Sequence, residues 1–148
     1  MLTELLFTVF LQVVGRSKTC EFNRQDILSY QLSYLKGETT IEVNSPDARL
    51  VSCKPWKEFP YLLVVEIDMG VTENKPDLHE TELFIFDTLS KDLREVFKKK
   101  VRTSRFKSTA EKKLEELVTW DSPYQLVKTN SGKPGIRWTK SSELVTLD

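Results

Sequence analysis

The chain has 148 residues, enough for one domain with a sizeable core, and its apolar (39%) and charged (30%) fractions are ordinary for a soluble globular protein. Its 22 lysines and arginines balance 22 aspartates and glutamates, which excludes the simple case of a uniformly basic surface built for nucleic acid or membrane. The neutrality is an average, however, because seven acids face one base between Glu66 and Asp87, and ten bases face three acids between Lys91 and Lys113. Mutual neutralisation of the two stretches is the expected outcome, and two faces turned to different partners is the alternative.

The opening MLTELLFTVFLQVVGR carries Glu4 where a signal peptide needs positive charge, and no small-residue cleavage site follows. Its apolar run is about half of what a membrane span requires. We read it as part of the fold: Leu2, Leu5, Leu6, Val9, Phe10 and Val13 recur at helical spacing, with Thr3 as cap and Gly15 as stop. Asn23 then caps a second expected helix, RQDILSYQLSYLKG, in which Ile27, Leu28, Gln31 and Leu35 share a face and Gly37 ends the run.

After Gly37 the character becomes β-type. TTIEVNS, DARLVSC, YLLVVEIDMGV and ELFIFDTL are strand candidates, separated by Asn-Ser-Pro and by a KPWKEFP loop. Ser90 caps a further expected helix, with Leu93, Val96 and Phe97 on one side and KKK at its C-terminal end, where cations suit the helix dipole. Ser108 to Glu111 is a capping box that predicts a helix to about Val118. YQLVKTNSGKPGIRWTKS closes the chain as a hairpin with its turn at Asn130 to Gly135. The expected fold is α+β: a mainly antiparallel four-stranded central sheet flanked by helices, then a C-terminal helix and β-hairpin. It forms one domain over 1–148, with an α/β core over 1–97 and the basic stretch, helix and hairpin over 98–148.

Cys20 and Cys53 have no zinc-ligand spacing, and a bridge between them is left open. No N-x-[ST] sequon occurs. With no signal peptide or transmembrane segment evident, the expected setting is intracellular. His79, the only histidine, lies in an acidic stretch and is read as a surface residue.

The most informative stretch is YLLVVEIDMG. Strand alternation puts Leu63, Val65, Ile67 and Met69 on one face and Leu62, Val64, Glu66 and Asp68 on the other. A strand apolar on both faces is usually central, and acids on it either mark its emerging end or gather around a cation. Asp47, at the head of the preceding β-type run, is a third acid. Three such carboxylates suit Mg²⁺ or Mn²⁺, which would activate water and stabilise charge on a scissile phosphate.

Pro46-Asp47 followed by Glu66-Ile67-Asp68 resembles the PD-(D/E)XK nuclease-like superfamily, and EIDMGVT is similar to the Glu-x-Asp-x-Gly-Thr variant of some replication and relaxation proteins of that fold. The resemblance covers roughly residues 1–97. It implies that Asp47 and Glu66 bind the metal, that Asp68 joins them as a catalytic residue, and that Glu4 is the candidate helical acid. The usual motif lysine is replaced by Asp68, leaving Lys54, Lys57 or Lys75 to stand in for it.

The stretch KKKVRTSRFK contributes Lys98, Lys99, Lys100, Arg102, Arg105 and Lys107 with no acid, a candidate track for a phosphate backbone. The helix and hairpin after it are similar in pattern to a winged-helix end. Two functions follow. One is a nucleic-acid-handling protein with a Mg²⁺- or Mn²⁺-dependent phosphodiester-hydrolysing site. The other is a non-catalytic interaction or structural accessory protein, of viral or mobile-element type, contacting a protein partner or its own copies through charged faces and the aromatics Trp56, Phe59 and Tyr61.

Overall fold

The computed structural model describes residues 20–72, 75–105, 118–119 and 124–148, and all regular structure among them is β. The strands are β1 (Glu21–Asp26), β2 (Ser29–Tyr34), β3 (Gly37–Glu42), β4 (Arg49–Trp56), β5 (Phe59–Thr72), β6 (Lys75–Asp87), β7 (Arg94–Arg105), β8 (Val118–Thr119), β9 (Tyr124–Lys128), β10 (Pro134–Trp138) and β11 (Leu144–Thr146). They form three antiparallel sheets, ordered β1-β2-β3, β4-β5-β6-β7-β8 and β11-β10-β9.

β5 is an interior strand of the five-stranded sheet, and its alternating side chains feed two separate cores. Leu63, Val65, Ile67 and Met69 pack with Phe84 and Phe86 of β6 against Tyr30, Leu32, Tyr34 and Ile41 of the first sheet. Leu62 and Val64 pack with Leu83 and Ile85 against Ile136 and Trp138 of the third and Leu147 just after it. The five-stranded sheet is therefore a middle layer, covered by a small sheet on each face. Neither small sheet has an apolar face large enough to stand alone, so each depends on the central one.

This architecture corrects the α+β expectation of a four-stranded sheet flanked by helices. The segment RQDILSYQLSYLKG is β1, a turn and β2, because a period of two outweighs the helical one: Tyr30, Leu32 and Tyr34 are buried while Ser29, Gln31 and Ser33 alternate with them. The residues that suggested a helical face, Ile27, Leu28 and Leu35, sit at turns and are exposed.

The segment after Ser90 is β7, not a helix. Of its three successive lysines, Lys98 and Lys100 meet Glu82, Glu80 and the Phe84 ring of β6, and Lys99 meets the Trp138 ring of β10. The expected helix over 2–13 lies outside the described residues. So does the one starting at Ser108, except that Val118 pairs with Ser104 as part of β8. The C-terminal hairpin is present as β9–β10, with Thr129 N–H donating to the Lys133 carbonyl across the turn (2.8 Å) and Gly132 at φ +83°. β11 adds a third strand to it.

KPWKEFP is a strand–turn–strand instead of a loop, and Trp56 and Phe59 stack edge-on (5.4 Å between centroids) within the core, so of the three expected aromatic anchors only Tyr61 is exposed. No helix among the described residues is long and apolar enough to cross a membrane.

Cys20 and Cys53 form a disulfide that ties the entry of β1 to β4 across a separation of 33 residues. It links the first sheet to the middle one beside the core they share. Closing a loop of that length stabilises the fold by roughly 3–4 kcal/mol, mainly by restricting the unfolded chain. Urea unfolding of Cys20→Ala/Cys53→Ala, or of the reduced protein, should show a loss of about that size, with a larger m-value as the denatured state expands.

Candidate functional site

Glu66 is a buried carboxylate on β5, facing the third sheet. Arg102 of β7 donates from Nη1 to its Oε1, and the Tyr124 hydroxyl of β9 donates to its Oε2. The guanidinium carbon also lies 5.9 Å from the centre of the Tyr124 ring. Three groups from three strands thus close on one another, and both carboxylate oxygens carry a donor. Burial, followed by the hydrogen bond to the Glu66 anion, pushes the Tyr124 phenol well above the usual tyrosine range. The arrangement clamps the third sheet to the central one and offsets the desolvation of Glu66.

Asp68, two residues on, is equally buried but has different partners. Its Oδ2 pairs with Arg49 Nε of β4 (3.4 Å). Its Oδ1 accepts from the Gly70 amide (2.9 Å) and meets His79 Nδ1 of β6 (3.1 Å). Asp47 approaches the other side of the same imidazole, with Oδ2 3.9 Å from Nε2, and its Oδ1 accepts from the Ser45 hydroxyl.

The turn carrying Asp47 is seated on the end of β5. Asn44 N–H donates to the Met69 carbonyl (2.8 Å), while the Pro46 carbonyl accepts from Arg24 (2.7 Å) and the Tyr30 hydroxyl (3.0 Å). Gly70 is required there. It sits at φ +90°, and a Cβ on it would lie 2.5 Å from Ser45 Oγ and 2.9 Å from Asp47 Oδ1.

Of the three acids singled out in the sequence, the fold therefore joins Asp47 and Asp68 through His79 and gives Glu66 to separate partners. Among the described residues no group of three or more His, Cys, Asp or Glu side chains is placed to hold a metal ion. Ser45 bonds Asp47 and not the imidazole, so Ser45, His79 and the aspartates do not form a nucleophile–base relay. His79, read as a surface residue, is largely enclosed. Arg49, Arg102 and Tyr124 were not recognised as partners either, because nothing in their local sequence marks a contact 19, 36 or 58 residues away.

The basic stretch is largely engaged with the neighbouring strand. Lys98 Nζ lies 3.8 Å from Glu82 and 5.6 Å from the Phe84 ring centre, and Lys100 Nζ lies 3.5 Å from Glu80. Lys99 Nζ sits 4.9 Å from the Trp138 ring centre, and Arg102 holds Glu66. The Arg105 side chain and Lys107 lie outside the described residues. The acidic and basic stretches are thus neighbouring strands that neutralise each other across the β6–β7 ladder. Partial burial raises the Glu82 carboxyl above its usual range, opposed by Lys98.

No family model matches the chain, and neither the curated proteins nor the solved structures contain a match to it. The nuclease-like resemblance accordingly rests on the motif residues alone.

Two outcomes follow from the Glu66 cluster. Arg102→Ala leaves a buried carboxylate without its cation and should cost about 3–5 kcal/mol in chemical unfolding, whereas Glu66→Leu with Arg102→Met should recover most of it. Because folding raises the Tyr124 pKa, the stability it contributes is complete below the unfolded tyrosine value of about 10 and is lost as pH rises towards the folded one. Ultraviolet titration should show a late-ionising tyrosine that moves to lower pH in Glu66→Gln, whereas Tyr34, raised by burial alone, should not move.

Proposed function

We propose that this protein is a non-catalytic binding module acting through protein–protein contacts. The observation that carries this reading is the internal pairing of the two central carboxylates, Glu66 with Arg102 and Tyr124, and Asp68 with Arg49 and His79. A catalytic Mg²⁺ or Mn²⁺ would have to displace those donors from two buried carboxylates. The engagement of Lys98, Lys100 and Arg102 with carboxylates, and of Lys99 with an indole, favours this reading over a phosphate track.

The three-layer β architecture suits a binding role, because it presents turns at the ends of a rigid framework. The Cys20–Cys53 bridge supports residence in an oxidising compartment, in place of the intracellular setting expected from the sequence.

Calorimetry sets this reading against metal-dependent phosphodiester hydrolysis. Titration of Mg²⁺ or Mn²⁺ to millimolar concentration into the intact chain and into Asp47→Ala should give no saturable heat in either. Saturable binding that vanishes in Asp47→Ala, together with cleavage of single- or double-stranded DNA, would overturn it.

A further inference from the structure

At one end of the molecule the β2–β3 turn and the segment joining β6 to β7 enclose a groove of about 820 Å³, within the size range of ligand sites. One wall is Tyr34, Leu35, Lys36 and Gly37, and the other is Thr88, Leu89, Ser90 and Lys91. Both walls are fixed. Tyr34 pairs with Gly37, so Leu35 and Lys36 form a two-residue hairpin loop. Gly37 packs closely on Leu93, whose amide donates to the Glu38 carbonyl (3.3 Å).

On the opposite wall the Thr88 amide donates to the Tyr61 carbonyl (2.9 Å) and the Leu89 amide to Asp87 Oδ1 (2.8 Å). Arg94 holds the other oxygen of Asp87 (2.8 Å). The Leu89 amide, with Arg94, depresses the Asp87 carboxyl below its usual range, so this support is present at neutral pH.

Leu35 is unusual in two ways. Its φ is +56°, a region that a leucine occupies with strain and that Gly or Asn occupies readily, yet its side chain is 57% exposed. It therefore suits neither its backbone nor its solvent environment, and strained residues of this sort gather at binding sites. Leu89, on the facing wall, is 76% exposed. The groove also carries Lys36 and Lys91, one on each wall, and its lining has no acidic side chain. Neither lysine is paired with a carboxylate among the described residues, unlike Lys98 and Lys100.

From these features we propose that the groove docks a short apolar peptide segment of a protein partner, flanked by acidic residues. Its apolar side chains would rest on Leu35, Leu89 and Tyr34, and its carboxylates would meet Lys36 and Lys91. Two cations on separate walls, each near an exposed leucine, match a ligand with several carboxylates and several apolar groups. An amphiphile with one carboxylate satisfies one lysine only. The proposal rests on the binding-module reading and specifies its surface and ligand chemistry.

The test is an amide-shift titration of the ¹⁵N-labelled intact chain with the blocked peptide Glu-Leu-Leu-Phe-Glu. The controls are Lys-Leu-Leu-Phe-Lys, Glu-Ser-Ser-Ser-Glu and laurate. The acidic apolar peptide should give saturable shifts confined to residues 34–37 and 88–91 and bind at least about tenfold more tightly than any control, the difference that one well-placed contact confers. Leu35→Asn, which relieves the backbone strain and so keeps the fold, should abolish binding without lowering Tm. Lys36→Glu/Lys91→Glu should reverse the preference towards the lysine peptide. Equal binding of the two charged peptides, shifts outside the groove, unchanged binding by Leu35→Asn, or saturation by laurate alone would each overturn the proposal. Failure here with no metal binding in calorimetry removes the groove assignment only, whereas metal-dependent cleavage removes the binding-module reading itself.

Discussion

The burial of β5 on both faces is the constraint from which the rest of the architecture follows. From Leu62 to Met69 every side chain is withdrawn from water, so the strand cannot lie in a sheet with one wet face. The chain meets this with two small sheets on opposite sides. Each is too short to persist alone, and each is tethered by a specific link besides its apolar contacts. For the first sheet these are the Cys20–Cys53 bridge and the Asn44–Pro46 turn, and for the third the Tyr124–Glu66–Arg102 cluster.

The same constraint governs the polar chemistry. Once both faces of β5 are covered, Glu66 and Asp68 lie under protein, and an ionised carboxylate there requires donors from the layers around it. The fold supplies them from β4, β6, β7 and β9. Acids that look like ligands awaiting a cation already have cations of the protein's own. The charge asymmetry along the chain resolves similarly, with the acids of β6 and bases of β7 placed side by side. Lys36 and Lys91, by contrast, flank exposed leucines in the groove between the β2–β3 turn and the segment joining β6 to β7.

Much of the β organisation was legible in the residues. The two faces of YLLVVEIDMG divide between the two cores as the alternation of side chains requires, and the strands after Gly37 and the final hairpin are present. The helices expected at 24–37 and after Ser90 were misread for physical reasons. In the first, Ile27, Leu28 and Leu35 imitate a helical stripe, although Tyr30, Leu32 and Tyr34 follow a period of two. In the second, three consecutive lysines hide the alternation, because the ammonium groups of Lys98 and Lys99 sit over Phe84 and Trp138, which belong to other strands.

What the sequence determined by itself is local: which runs are extended, which strand is apolar on both sides, and that Glu66 and Asp68 share a face of it. These properties depend on neighbours one to four residues away. Only the tertiary structure decided what the carboxylates do, which cysteine pairing forms, where the lysines of β7 spend their charge and which leucines remain in water. Those outcomes depend on partners far along the chain, and a buried charge acquires its meaning only from the groups that the fold brings against it.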